Sequence, residues 1–151
     1  MDMKKPFSKY FIASSHRTYL VEDQHGPASA DGLANALKQN CRLIELDLWD
    51  PNELQGEKEP MVQGGPLSNN KLPLSNALQT ISELAFEQTR FPLILHLSAQ
   101  CSFEWQRVAS KLIITHLGTK LYLPSADDIN WNDGKTTPTP SDFQLKILIM
   151  V

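Results

Sequence analysis

The ten residues CRLIELDLWD, at positions 41–50, decide the fold of this chain. Polar and apolar side chains alternate along them, which is the pattern of a β-strand whose two faces meet different surroundings. Glu45 and Asp47 therefore share one face near the C-terminal end of the strand. The full sets are Leu43, Glu45, Asp47 and Trp49 on that face, and Arg42, Ile44, Leu46 and Leu48 on the other.

Strands and helices alternate on both sides of this segment. Apolar runs predict three more strands at residues 10–14, 91–97 and 146–151, and the run at 91–97 is typical of a strand covered on both faces. Helical spacing predicts helices at residues 30–39 and 75–87, and a third from an N-cap at Ser102 to Leu117, followed by Gly118. Residues 51–60 and 123–142 are rich in turn formers and predict loops. This order predicts an α/β fold with four parallel strands joined by crossover helices.

Composition limits the size and the class of the protein. The chain has 151 residues, 41% of them hydrophobic, which suffices for one domain with a packed core or for one half of a larger fold. Its 14 Lys and Arg against 17 Asp and Glu give a net charge of -3, which argues against a nucleic-acid partner. No apolar stretch is long enough to span a bilayer, and the N-terminus shows no secretory signal. The 2 cysteines are too few for a disulfide framework, so we expect a cytoplasmic protein with reduced thiols.

Two carboxylates on the strand at 41–50 are the first candidates for chemistry. Glu45 and Asp47 lie side by side, where they repel each other and lose hydration, so they need a cation nearby. Two interpretations are open, a metal site and a structural ion pair with Arg or Lys. His16 follows the first predicted strand at the same edge of the sheet, either as a catalytic group or as a local hydrogen-bonding group. The remaining histidines show no ligand spacing and are assigned no role: His25, His96 and His116.

Four blocks of the sequence resemble the X region of eukaryotic phosphoinositide-specific phospholipase C. They are YFIASSHRTYL at 10–20 with EDQ at 22–24 and GP at 26–27, CRLIELDLWD at 41–50, FPLILHL at 91–97 with CS at 101–102, and LKILI at 145–149. The resemblance begins near residue 6 and reaches residue 151, so one X-type domain is expected over 1–151. It implies the X half of a TIM-type (β/α) barrel, whose other half is a Y region. We recognise no Y region, PH, EF-hand or C2 domain in the sequence.

The resemblance also implies a reaction and its residues. Members of the family hydrolyse phosphatidylinositol 4,5-bisphosphate to diacylglycerol and inositol trisphosphate in intracellular signalling, using two histidines and a calcium ion. The metal lowers the pKa of the attacking inositol hydroxyl and neutralises phosphoryl charge, while the histidines move protons. His16 stands at the position of the first histidine, and Glu45 and Asp47 stand at two calcium-ligand positions.

Other positions of that implied site differ from the family pattern. Arg17 stands where the family has a calcium-binding Asn, Gln63 where it has the second histidine, and Ser98 where it has the last calcium carboxylate. In the family, the Asn and the three carboxylates carry three negative charges before calcium binds. The four residues at these positions here carry one net negative charge before any metal binds: Arg17, Glu45, Asp47 and Ser98. We therefore expect Arg17 to fork onto both carboxylates, and we expect calcium binding to be absent or weak.

Three interpretations of function follow. The substitutions favour a catalytically impaired or inactive domain that binds phosphoinositides or protein partners, because losing one acid–base group costs roughly 10²–10⁴ in rate. The second interpretation is an active phosphoinositide phospholipase C that takes a Y region from elsewhere. The third is a fragment without function, since the chain ends inside an apolar strand. The open edges of a half-barrel predict pairing with a Y-like partner or self-association. The resemblance further implies a phosphoinositide or membrane-surface ligand and a cytoplasmic, peripheral location, although Met150 stands at the first of two phosphate-binding lysine positions.

Overall fold

A central strand organises the fold, and it lies where the alternating segment predicts it. The computed structural model describes residues 3–22, 26–65, 68, 70–124 and 137–151. Its strands are Ser14–Ser15 (β1), Leu43–Trp49 (β2), Met61–Val62 (β3), Leu72–Pro73 (β4), Leu93–Ala99 (β5) and Ile147–Met150 (β6). Its α-helices are Ala30–Lys38 (α1), Leu74–Leu84 (α2) and Phe103–Leu117 (α3).

Four strands run parallel in the order β1, β2, β5 and β6. β1 and β3 pair with opposite ends of β2, since Ser14 lies opposite Leu43 and Val62 lies opposite Leu48. One helix lies in each connection between successive parallel strands: α1, α2 and α3 in turn. The predicted arrangement of four parallel strands with crossover helices is therefore confirmed.

Two details of the strand prediction are wrong, and one pair of short strands was not predicted. The first strand is Ser14–Ser15 rather than residues 10–14, because pairing with β2 begins at the carbonyl of Ala13 and does not extend upstream. β5 is covered on one face only, since alternate residues from Leu93 to Leu97 are buried and those between them are half-buried. The chain after β2 forms the short antiparallel pair β3 and β4, whose two-residue strands are too short to show a period.

The three helices cover one face of the sheet and bury its apolar side chains. α1 begins after Ser29, whose hydroxyl accepts a hydrogen bond from the N–H of Asp31. α3 ends at Gly118 as predicted, with a φ of 50°. Ser102 is its N-cap by position, but its side chain makes no capping bond, and its N–H donates to Oδ1 of Asp50. The core under the helices includes Leu33, Leu37, Ile44, Leu46, Leu78, Ile81, Leu93, Leu95 and Ile147.

Some predicted features fall outside the described residues. They are His25, residues 23–24 of the first motif, and residues 125–136 of the predicted loop. Within the described segments, none of the helices combines the length and the apolar character needed to cross a membrane.

Candidate functional site

The face of the sheet that the helices leave open carries the candidate site. β2 contributes Glu45 and Asp47 to this face, as the alternation predicts, with side chains 19% and 12% exposed. The register with β5 places His96 opposite Glu45 and Ser98 opposite Asp47. Because the carboxyl ends of parallel strands meet at one edge of a sheet, these side chains gather where α/β barrels place their functional groups.

His16 lies against Glu45, in agreement with its place after β1. Nδ1 of His16 is 2.8 Å from Oε2 of Glu45, and because a carboxylate only accepts, the imidazole carries a hydrogen on Nδ1 in this contact. The side chain of His16 is 67% exposed, so its ring remains accessible to a ligand. His96 approaches the same oxygen from β5, with its Nδ1 at 3.8 Å. Two imidazoles therefore stand beside one carboxylate.

Asp47 has a different set of partners. Its Oδ2 accepts a hydrogen bond of 2.6 Å from the hydroxyl of Tyr19 and lies 3.6 Å from Nε of Arg17. Burial, and then the hydrogen bond to Asp47, raise the pKa of Tyr19 far above its usual value, so the phenol stays a neutral donor. A cation and a hydroxyl thus face the same carboxylate oxygen. For Asp47 this arrangement agrees with the interpretation as a structural ion pair.

The expected fork of Arg17 onto both carboxylates is wrong in part. Its guanidinium pairs with Asp47, while the neighbours of Glu45 are the two imidazoles. The difference is geometric, because Oε2 of Glu45 already has His16 at 2.8 Å and His96 at 3.8 Å as its neighbours. Arg17 also has a left-handed backbone with a φ of 49°, a conformation that Asn adopts far more often than Arg. The backbone at this position therefore suits the Asn of the family pattern.

Helix α1 holds the segment that carries Arg17 and Tyr19 against the sheet. A Cβ on Gly32 would lie 2.2 Å from the carbonyl oxygen of Thr18, so only glycine permits this close approach. The carbonyl of Tyr19 accepts a hydrogen bond of 2.7 Å from the N–H of Ser29. Tyr19 itself is fully buried, which fixes the position of its hydroxyl at Asp47.

Gln63 follows β3 and adjoins the site on the side opposite β5. Its N–H donates to the carbonyl of Asp47 at 3.2 Å, and its own carbonyl accepts from the hydroxyl of Tyr19 at 3.1 Å. Its amide Nε2 donates to the carbonyl of Gly65 at 3.0 Å. The residue is only 3% exposed, and a carboxamide neither gains nor loses a proton near neutral pH, so it cannot serve as a general acid or base.

Sequence reasoning missed two contributors, Tyr19 and His96. A signal for His96 was present, because period-2 alternation puts it on the face of Ser98, which the resemblance assigns to the site. No such signal marks Tyr19, since a buried tyrosine two residues after Arg17 is indistinguishable by spacing from a core aromatic. Met150, the register partner of His96, lies at the end of β6 and is 42% exposed.

Both carboxylates of the site already have protein partners. In the segments that the structure describes, no three or more His, Cys, Asp and Glu side chains are arranged to hold a metal ion. Donors accessible to an anionic oxygen are present, since the side chain of Arg17 is 38% exposed and that of His16 is more so. The arrangement can thus donate hydrogen bonds to a phosphate-like group.

Comparison with known proteins gives consistent matches. The family profile of the phosphatidylinositol-specific phospholipase C, X domain, matches residues 3–151. Inactive phospholipase C-like protein 2 of Mus musculus is 38% identical over 149 residues, which are 98% of this chain and 12% of that protein. The 1-phosphatidylinositol 4,5-bisphosphate phosphodiesterase delta-1 of Rattus norvegicus is 39% identical over 152 residues, covering 99% of this chain and 19% of that protein. The crystal structure of S. officinalis PLC21 matches with a TM-score of 0.89 and 31% identity, over 99% of this chain and 19% of that one.

These matches confirm the resemblance seen in the sequence. The chain spans 12% to 19% of the length of these relatives, so it corresponds to one part of each. Its sheet and helices are the X half of a TIM-type barrel. The chain belongs to the family of phosphatidylinositol-specific phospholipase C X domains.

Proposed function

We propose that this chain is a phosphoinositide phospholipase C-like domain that binds phosphoinositide lipid at a membrane surface without hydrolysing it. The family match over residues 3–151 supports a phosphoinositide as the ligand. The contact between Arg17 and Asp47 carries the proposed loss of hydrolysis, because it places a cation at a position where the family pattern has a calcium ligand.

The charges around Asp47 argue against calcium. Calcium takes about six to eight oxygen ligands, and a cation already in the site repels it. The oxygen Oδ2 of Asp47 is engaged by both Arg17 and Tyr19. Ser98, opposite Asp47, supplies a hydroxyl that accepts from Gln100 in place of a third carboxylate. This donor set does not fit a calcium ion.

Proton transfer is the second argument. Gln63 replaces the second histidine of the family pattern, and the loss of one general acid or base costs roughly 10²–10⁴ in rate. His96 brings another imidazole to the site but lies on the other side of β2, on β5, whereas Gln63 follows β3. His96 therefore does not stand where the missing histidine would act.

The names of the relatives do not decide the matter. The mouse protein is called inactive and the rat protein a phosphodiesterase, at 38% and 39% identity respectively. The residues at the substituted positions, rather than overall similarity, favour a domain without hydrolytic activity.

Thermal unfolding with calcium or a chelator tests the calcium part of the proposal. We expect the Tm of the unmodified chain to be the same in both, because a ligand stabilises only a state that binds it. The matched variant with Arg17→Asn and Ser98→Glu should be less stable in chelator and regain stability with calcium. A calcium-dependent rise in the Tm of the unmodified chain that Asp47→Asn abolishes would contradict the proposal.

Hydrolysis is best tested with the rest of the barrel supplied. The chain replaces the matching region of the rat phosphodiesterase delta-1, and turnover of phosphatidylinositol 4,5-bisphosphate is measured with calcium. We expect no turnover from this chimera, and calcium-dependent turnover after Arg17→Asn, Gln63→His and Ser98→Glu are introduced together. Turnover by the unsubstituted chimera would overturn the proposal.

Sedimentation of the chain with vesicles tests the proposed lipid binding. Equal binding to vesicles with and without the phosphoinositide would refute that part of the proposal.

A further inference from the structure

The open face of the sheet carries a row of apolar side chains below the candidate site. Leu43, Ile94 and Leu148 are register partners on β2, β5 and β6, and each of them is half-buried. In a closed α/β barrel, such side chains pack in layers against those of the opposite strands. The four parallel strands of this chain supply one side of such a layer, so the row lacks the side chains that would cover it.

The exposed area of the chain is large for its mass. The whole chain exposes 9193 Å², whereas a compact monomer of 17.0 kDa exposes about 7,700 Å². A stable interface covers about 800 Å² on each partner. The excess of about 1,500 Å² is nearly twice that area, which is enough for a stable dimer.

Both edges of the four parallel strands are open to a partner. Among the described strands, β1 pairs with β2 and β6 pairs with β5, so each of the two has one side without a strand. In the described segments, that side of β6 is met by a bridge from Leu121 to Ile147. Phe11, just before β1, is fully exposed, and Tyr10 is extended, with φ −120° and ψ 144°. The apolar run at residues 10–13, which predicts a strand, is thus available for pairing.

Barrel geometry determines which residues of a second copy would meet β6. An eight-stranded α/β barrel has a shear of about eight residues, and a two-fold axis along the barrel divides it into about four per copy. Because the strands wind around the axis in a right-handed sense, the register row from Ser14 to Leu148 descends toward the strand N-termini. It therefore reaches the second copy about four residues before Ser14. Leu148 then lies beside Tyr10 of that copy, and Met150 lies beside Ile12.

We propose that two copies of this chain close an eight-stranded barrel, in which β6 of each copy pairs with residues 10–13 of the other. The second copy supplies the four missing strands, and its own apolar row covers that of the first. The two contacts are identical and use both open edges, so association stops at two copies. This inference does not rest on the proposed lipid binding.

Size-exclusion chromatography of the full chain with light scattering tests the stoichiometry and the contribution of Phe11. We expect a species of twice 17.0 kDa and no larger one. Phe11→Ala should raise the dissociation constant at least about tenfold, because aromatic side chains dominate the energetics of interfaces. The control is Phe103→Ala, which removes another exposed ring at the start of α3, outside the proposed contact. It should leave the dissociation constant unchanged.

Disulfide formation between copies tests the register. Ile12→Cys mixed with Met150→Cys should form an intermolecular disulfide on oxidation, because neighbouring positions on paired strands lie within disulfide range. Neither variant alone should do so, since the two-fold axis places both copies of one position on opposite sides of the barrel. Thr115→Cys, exposed on α3, is the control partner for Met150→Cys and should give no disulfide. The native thiols of Cys41 and Cys101 are buried.

Several outcomes would overturn the proposal. They are a chain that stays monomeric at every concentration, assemblies that grow beyond two copies, a dimer that Phe11→Ala does not weaken, and a mixture of the two cysteine variants without a disulfide. A disulfide of Met150→Cys with itself would also overturn it, because that bond requires β6 to pair with β6.

The Y region of the rat phosphodiesterase delta-1, added as a separate chain, tests the alternative partner. We expect the dimer of this chain to persist in its presence. A one-to-one complex with the Y region that replaces the dimer would assign the open edges to a Y-like partner and overturn the second copy as the occupant. None of these outcomes changes the expected binding of phosphoinositide vesicles.

Discussion

The two faces of β2 are held in place by different kinds of interaction. Ile44 and Leu46 point under the helices and are fully buried in the common core. Glu45 and Asp47 lie on the open face, where individual hydrogen bonds and ion pairs fix them. The stability of a side chain on the helix-covered face depends on contacts with all of its neighbours. The position of a side chain on the open face depends on hydrogen bonds or ion pairs with one or two atoms. Residues on the open face can therefore be substituted, which changes the chemistry of the site, while the fold persists.

The largest effect is expected from the truncation of a side chain on the helix-covered face. Leu46→Ala should lower the free energy of unfolding by about 2–5 kcal/mol, because it leaves a cavity in a closely packed core. Urea denaturation measures the change. Glu45→Gln, one residue away on the open face, is the matched control and should cost less than about 1 kcal/mol, since it keeps the shape of the side chain. Equal losses for the two variants would break the comparison.

The second test removes a partner on the open face. Tyr19→Phe deletes the hydroxyl that donates to Asp47 at 2.6 Å, and it should cost about 1–3 kcal/mol because it leaves a buried carboxylate with one hydrogen bond fewer. The effect should depend on pH. The pKa of Tyr19 is raised in the folded protein, so its contribution is complete below its unfolded pKa near 10 and is lost as pH rises further.

Urea denaturation of both proteins between pH 8 and pH 11 checks the sign of this effect. Above an unfolded tyrosine pKa near 10, the unmodified chain should lose up to about 1.4 kcal/mol per pH unit more than Tyr19→Phe. Burial also raises the pKa of the thiols of Cys41 and Cys101, which adds a loss of the same sign in both proteins and cancels in the difference. Parallel curves for the two proteins would show that Tyr19 makes no such contribution.

The sequence predicted the covered face better than the open one, for a physical reason. Leu46 belongs to a period that repeats along the strand, and the same period placed Glu45 and Asp47 on the opposite face. The four parallel strands and three helices follow from such periods. Two-residue strands, such as Met61–Val62, contain no period and were not predicted.

Partners on the open face depend on distances that no period sets. The place of His16 after β1 predicted that it would lie at the same edge of the sheet as the carboxylates, but not that it would bond Glu45 while Arg17 pairs with Asp47. That outcome depends on a left-handed φ at Arg17 and on the approach of Gly32 to Thr18, both of which are tertiary features. The resemblance supplied Gln63 and Ser98 because it aligns positions, which composition and spacing do not.

The smallest expected effect concerns the edge of the open sheet. No described strand pairs with the far side of β6, which is met by a single bridge from Leu121 to Ile147; beyond that bridge Met150 is 42% exposed and Val151 is 89% exposed. Such an edge is a template for another chain, and lysine on an edge strand disfavours that pairing. We expect the unmodified chain to self-associate in size-exclusion chromatography with light scattering, and Met150→Lys to weaken the association by less than about tenfold.

The control for the edge variant is Thr115→Lys, which adds the same charge at an exposed position of α3. It should leave the association unchanged, because charge repulsion between whole molecules is a weaker effect than blocking a strand edge. If both variants weakened association equally, net charge rather than the edge would be responsible. A chain that stays monomeric at every concentration would show that the open edge of β6 is protected without a partner. The open face would then need a partner chain no more than the helix-covered face does.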